Sequence, residues 1–134
     1  EKQQKVYVYQ CTESVLEVTG KVNAISLDGC KKTALIFDSC VSGVELINCS
    51  SCKVQVKGSC MTFTVDKCSG TQLILNRDCL AAEVISAKSS ELNIVVPGEK
   101  ENDEFKEFAI PEQFVSKWDK DGGKWVTESM AHTG

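Results

Sequence analysis

Between Val44 and Leu75 apolar and polar residues alternate in short runs of similar length: VELIN, KVQVK, MTFTVD and TQLIL. The runs follow one another at intervals of about nine or ten residues, the spacing of strands and turns. In KVQVK, Val54 and Val56 point one way and Lys53, Gln55 and Lys57 the other. In MTFTVD, Met61, Phe63 and Val65 oppose Thr62, Thr64 and Asp66, and Leu73, Leu75, Leu92, Ile94 and Val96 continue the apolar set. Each strand is therefore expected to carry one dry face and one wet face. Further short strands are expected over 5–11, 15–18, 22–27, 34–38, 82–87 and 91–96. No window holds a helical period over three or four turns.

The units close alike. Asp28-Gly29-Cys30, Asp38-Ser39-Cys40, Asn48-Cys49, Asp66-Lys67-Cys68 and Asn76-Arg77-Asp78-Cys79 read as variants of one corner. Self-similarity at a short fixed period marks a solenoid. A Greek-key sandwich would alternate too, but it would not repeat this corner. The expectation is an all-β parallel β-helix over residues 1–98, with two strands per coil and about four to five coils of about twenty residues. Pro97-Gly98 ends the repeat. Residues 99–107 (EKENDEFKE) read as an acidic, solvated linker. Residues 108–134 read as a hairpin and tail, with Trp118 and Trp125 flanking the glycine-rich turn 119–123.

A chain of 134 residues is one domain's worth. A net charge of -4 and a pI near 5.0 argue against a nucleic-acid binder, which needs a basic stripe. No apolar run is long enough to cross a bilayer, and the N-terminus lacks a signal-peptide core. Its abrupt polar start suggests a piece of a longer protein. Eight cysteines in a secreted chain would suggest disulfides. Seven of them, however, sit at or near one place in the repeat, so they are expected to stack as a ladder of buried, reduced thiols in a cytoplasmic protein. Cys49-Ser50-Ser51-Cys52 lacks the second pair or histidines of a structural zinc site, and the one histidine, His132, lies in the tail. No metal or cofactor is expected. Asp28, Asp38, Asp66 and Asp78 recur at corners, where such residues bond their own backbone. One acid per coil is not a catalytic pair, and no nucleophile–base pair is visible, so the chain reads as a non-enzyme.

The segments KVYVYQC, GKVNAISLDGCKK, AKSSELNIVVP and EFAIPEQFVSKW resemble the C-terminal domain of cyclase-associated protein, an actin regulator. The resemblance covers nearly the whole chain, in order. It implies a right-handed parallel β-helix whose C-terminal β-hairpin is exchanged in a homodimer. It also implies binding of monomeric actin, preferring the ADP form, and promotion of nucleotide exchange, hence regulation of filament turnover in the cytoplasm at the actin cytoskeleton. Family chains carry further domains, through which adenylyl cyclase or other partners would be reached. The corners here hold more cysteines than the family pattern, the hairpin turn is longer, and the end SMAHTG matches only loosely. Lys31, Lys32, Lys53 and Lys57 read first as a solvated basic face. With actin, an acidic protein, as partner they are the candidate contacts, and Lys31-Lys32 lies in a matching segment, with Thr127, Glu128 and His132 added toward the tail. The implied dimerisation residues are Phe108, Ile110, Pro111, Phe114, Trp118, Trp125 and Val126. Two other readings share the fold. A module like tubulin-binding cofactor C would use Arg77, the sole arginine, as a GTPase-activating finger, but its Gln-x-Arg-x-His context is missing. A carbohydrate-active β-helix enzyme would cluster its acids on one face.

Overall fold

The computed structural model describes residues 4–98, 100 and 104–130. Its strands are β1 (Lys5–Tyr9), β2 (Val15–Asp28), β3 (Ala34–Ile47), β4 (Lys53–Val56), β5 (Cys60–Asp66), β6 (Ser69–Ile74), β7 (Glu83–Ala87), β8 (Ser90–Val96), β9 (Lys106–Ala109), β10 (Phe114–Asp119) and β11 (Lys124–Ser129). Among the described residues one 3-10 turn, Arg77–Cys79, interrupts them.

The expected solenoid is present. Lys5 lies beside Ala24, Ala24 beside Gly43 and Gly43 beside Thr62, all in parallel, so the chain returns every 19 residues. On the second face Val15, Ala34, Lys53 and Gln72 stack at the same step. β2 and β3 are long because each bends through a corner and serves both faces. The last coil is longer: Thr62 pairs with Glu83 and Thr71 with Leu92, a step of 21. The chain between β6 and β7 takes up the extra length through the 3-10 turn, where Asn76 Oδ1 accepts from Asp78 N at 2.7 Å.

Alternation places the core as expected. Leu35, Val54, Phe63, Val65 and Leu73 are fully buried, and Phe37 and Phe63 are the largest side chains inside. Met61 corrects the pattern: it is 68% exposed. Its neighbour Cys60 takes the inward place: Cys60 and Phe63 are both buried, three residues apart, so the strict alternation of β5 breaks at its first residues.

The repeated corner is in fact two corners. The first, after one face, holds Asp28-Gly29-Cys30, Asn48-Cys49 and Asp66-Lys67-Cys68. The second, after the other face, holds Asp38-Ser39-Cys40 and the 3-10 turn ending at Cys79. The thiols therefore form two ladders. Cys11, Cys30, Cys49 and Cys68 line the first corner, and Ser89 continues it. Cys49 Sγ donates to Leu27 O or Ile47 O, Cys68 Sγ to Leu46 O or Asp66 O, and Ser89 Oγ to Val65 O or Ala87 O. Cys40, Cys60 and Cys79 line the second corner. Cys52 faces inward in a third column beside Thr33 and Thr71. All eight cysteines are free thiols, and all but Cys11 are buried. Burial pushes the thiols of Cys30 and Cys79 up.

The first corner turns by a repeated backbone device. Gln10, Gly29, Asn48, Lys67 and Lys88 have φ between 51° and 70°, and Glu13, Lys32, Ser51, Gly70 and Glu91 have φ between 49° and 73°. Left-handed residues cost an L-amino acid roughly 1–2 kcal/mol each. The stack offsets this by giving the amides partners: Glu13 N bonds Lys31 O, Lys32 N bonds Ser50 O, and Ser51 N bonds Ser69 O at 2.8–2.9 Å.

Candidate functional site

The solenoid has to end, and its C-terminal end is where the non-repeating residues gather. β9 lies antiparallel on β8, with Ile94 beside Phe108 and Val96 beside Lys106. The segment read as a solvated linker is therefore sheet from Lys106 onward. Ile110 N continues the pairing by bonding Leu92 O at 2.9 Å, and the Ile110 side chain packs against the core. Glu91 is the last left-handed corner residue, and no further coil offers its amide a carbonyl. The Glu112 carboxylate takes that place, accepting from Glu91 N at 2.8 Å. This joins the AKSSEL and IPEQF segments, and Pro111, Glu112 and Phe114 border a groove of about 320 Å3 with Ser86–Ser90. The alternation alone did not reveal the role of Glu112; the signal was that neither segment fits the repeat.

Beyond the cap, β10 and β11 pair, among the described residues, only with each other. Their register sets Trp118 opposite Trp125 and Ser116 opposite Thr127. The indoles meet edge-on at 5.8 Å and 68°, and Ser116 Oγ and Thr127 Oγ1 are 2.8 Å apart. One hairpin face thus carries Phe114, Trp118 and Trp125; the other carries Val115, Val126, Lys117 and Glu128. Phe114, Trp118 and Trp125 are 59%, 52% and 66% exposed, and Val126 is also exposed. Phe108, on β9, is exposed beside the last coil, where among the described residues β7 pairs on one side only, with β5. Of the seven residues expected at a dimer contact, Ile110 alone packs against this chain's own core.

The candidate actin contacts fall in separate places. Lys31 and Lys32 are exposed at the first corner, and Lys53 is exposed on β4. Lys32 and Lys53 share a shallow groove of about 400 Å3 with Glu13 and Ser51. Lys57, past the end of β4, pairs with Glu17 at 3.1 Å. Thr127 and Glu128 lie on opposite faces of the hairpin. His132 lies outside the described residues. Arg77 is held by the fold itself, its Nε donating to Gly98 O at 3.1 Å. Cys49 and Cys52 both turn into the core and bond backbone carbonyls. Among the described residues no cluster of His, Cys, Asp or Glu is placed to hold a metal ion. The exposed, stacked pair Tyr7 and Tyr9 on the N-terminal edge strand was not anticipated; Tyr7 donates its hydroxyl to Asp28 Oδ2 at 3.0 Å.

Comparison with known proteins fits this architecture. The family model described as "Adenylate cyclase associated (CAP) C terminal" matches residues 1–132. The adenylyl cyclase-associated protein of Dictyostelium discoideum is 46% identical over 132 residues, which are 98% of this chain and 28% of that protein. Adenylyl cyclase-associated protein 2 of Mus musculus is 45% identical over 128 residues, 96% of this chain and 26% of that protein. The chain thus spans about a quarter of the length of these relatives. The crystal structure of cyclase-associated protein from Cryptosporidium parvum matches with a TM-score of 0.81 at 31% identity, covering 94% of this chain and 83% of that one. The chain belongs to the adenylyl cyclase-associated protein family, as a C-terminal domain of that family.

Proposed function

We propose that this domain binds monomeric actin, prefers the ADP-bound form, and promotes exchange of the actin-bound nucleotide. It does so as a homodimer formed through residues 108–130 by exchange of the C-terminal hairpin, in the cytoplasm at the actin cytoskeleton. The observation that carries the reading is the family match along residues 1–132. The exposed hairpin supports the dimer, since a lone two-stranded hairpin is at best marginally stable in water and exchange of an identical element is a low-cost route to a two-fold pair. No covalent chemistry is required. A protein that grips actin with an open nucleotide cleft more tightly than with a closed one shifts the balance about tenfold for each 1.4 kcal/mol or so of preference. Lys31, Lys32, Lys53 and Lys57 are assigned to contact with an acidic partner surface, together with Thr127, Glu128 and His132. Association with adenylyl cyclase is assigned to parts of the relatives that this chain does not span.

The test is release of a fluorescent ATP analogue from actin monomers, with and without the purified chain. Faster release, weakened by the double change Lys32→Glu and Lys53→Glu, is expected. Unchanged release together with no retention of actin on the immobilised chain rejects the reading.

A further inference from the structure

The second corner holds a groove that the proposed actin contact does not use. It has a volume of about 550 Å3, and three thiols line it: Cys40, Cys60 and Cys79. Lys21, Asp78 and the exposed Met61 border it. The groove exists because this corner is irregular. The register between β3 and β5 shifts here, and the last coil swings wide through the 3-10 turn. The first-corner thiols Cys30, Cys49 and Cys68 do not line this groove.

Cys40 and Cys60 are direct partners in the parallel register of β3 and β5. Neighbouring strands lie about 4.8 Å apart, within the range of roughly 4.4–6.8 Å that disulfide Cα atoms occupy. We propose that Cys40 and Cys60 form a redox pair, cross-linked across adjacent coils by a small hydroperoxide that enters through the groove. Cys40 is the attacking sulfur. Its thiolate takes one oxygen of hydrogen peroxide, the O–O bond breaks, and hydroxide leaves. The resulting Cys40 sulfenic acid is then attacked by the Cys60 sulfur. The S–S bond forms, the S–O bond breaks, and water departs with the Cys60 proton. Two thiols and one peroxide become one disulfide and two waters.

The surroundings of the two sulfurs fit these roles. Hydrogen bonding from the Cys60 thiol, aided by backbone hydrogen bonds of Gly43, Ile25 and Ser42 and opposed by burial, lowers the Cys40 thiol to about 7. The same bond to Cys40, together with burial, pushes the Cys60 thiol up and keeps its proton in place until the second step. Cys79 is the third thiol of the groove, but it lies in the 3-10 turn rather than opposite Cys40 or Cys60 in the strand register, and burial pushes its thiol up.

The experiment treats the reduced chain with a small excess of hydrogen peroxide, alkylates the remaining thiols in denaturant, and maps the peptides by mass spectrometry. The expected product has lost two hydrogens, joins the Cys40 and Cys60 peptides, and keeps six alkylated cysteines of the eight. Cys60→Ser should instead accumulate Cys40 sulfenic acid, trapped by a dimedone probe. Cys40→Ser should leave Cys60 unoxidised at that dose, with its thermal melt confirming the fold. First formation of any other pair, an intermolecular disulfide, or equal oxidation of all eight thiols overturns the proposal. So does dimedone labelling of Cys60 in place of Cys40.

Discussion

Phe63 and Met61 stand two residues apart on one strand, and alternation would give them one fate. The structure separates them: Phe63 is 0% exposed, Met61 68%. Phe63→Ala should therefore lose about 3–5 kcal/mol of stability by opening a cavity in a narrow core. Met61→Ala should stay within about 0.5 kcal/mol, as surface changes do. Urea denaturation of both variants checks this, and equal losses would contradict the placement of the two side chains. The thiols divide by the same criterion. Cys11 is half-buried and the other seven are buried. With a bulky aromatic disulfide reagent, Cys11 should react first and the others only as the chain unfolds. Fast reaction of most thiols in the folded protein would be incompatible with the ladders.

The coil is the next scale, and two glycines report on how coils meet. At Gly43 a Cβ would lie 2.5 Å from Thr62 O, a backbone atom of the next coil held in the sheet. Gly43→Ala should cost about 1–3 kcal/mol through overpacking. At Gly70 there is space, since the nearest atom is Ser51 N at 3.5 Å, but φ is +73°. Gly70→Ala should cost about 1 kcal/mol through backbone conformation alone. Thermal melts of the two variants, with Gly43→Ala the lower, are the check. Strand identity was legible in the sequence because a two-residue period survives wherever one face is buried. Corner identity was not. Asp38-Ser39-Cys40 and Asp66-Lys67-Cys68 read alike, and only the 19-residue return shows that they sit on opposite edges. The start of β9 was hidden because Lys106 and Glu107 are charged; their strand is set by pairing with Val96 and Val95. Glu112 was hidden for a similar reason. Its role depends on Glu91 N lacking a carbonyl from a further coil, which no local pattern encodes.

For the whole molecule, the cap and the hairpin are separable. Ending the chain after Glu112 keeps β9, the Ile110 pairing and the Glu91–Glu112 bond, and removes β10 and β11. The proposed dimer should then become a monomer that keeps its fold, because the apolar bulk of Phe114, Trp118 and Trp125 is gone. Light scattering at tens of micromolar on both chains decides it. A monomeric full-length chain, or a dimeric shortened one, would show that the hairpin does not hold the pair together.

The 19-residue return also makes the solenoid a spacer of fixed increment. Residues 34–52 form one full turn, entering and leaving at equivalent points of the stack. Duplicating them would add one rung and lengthen the molecule by about 4.8 Å. Both ends would keep their facing, because a whole turn adds no rotation beyond the slow twist of the sheet. The distance between the Tyr7–Tyr9 edge and the Trp118–Trp125 hairpin can therefore be altered without altering either end. Two binding surfaces carried at those ends could be moved apart in steps, with their chemistry left unchanged.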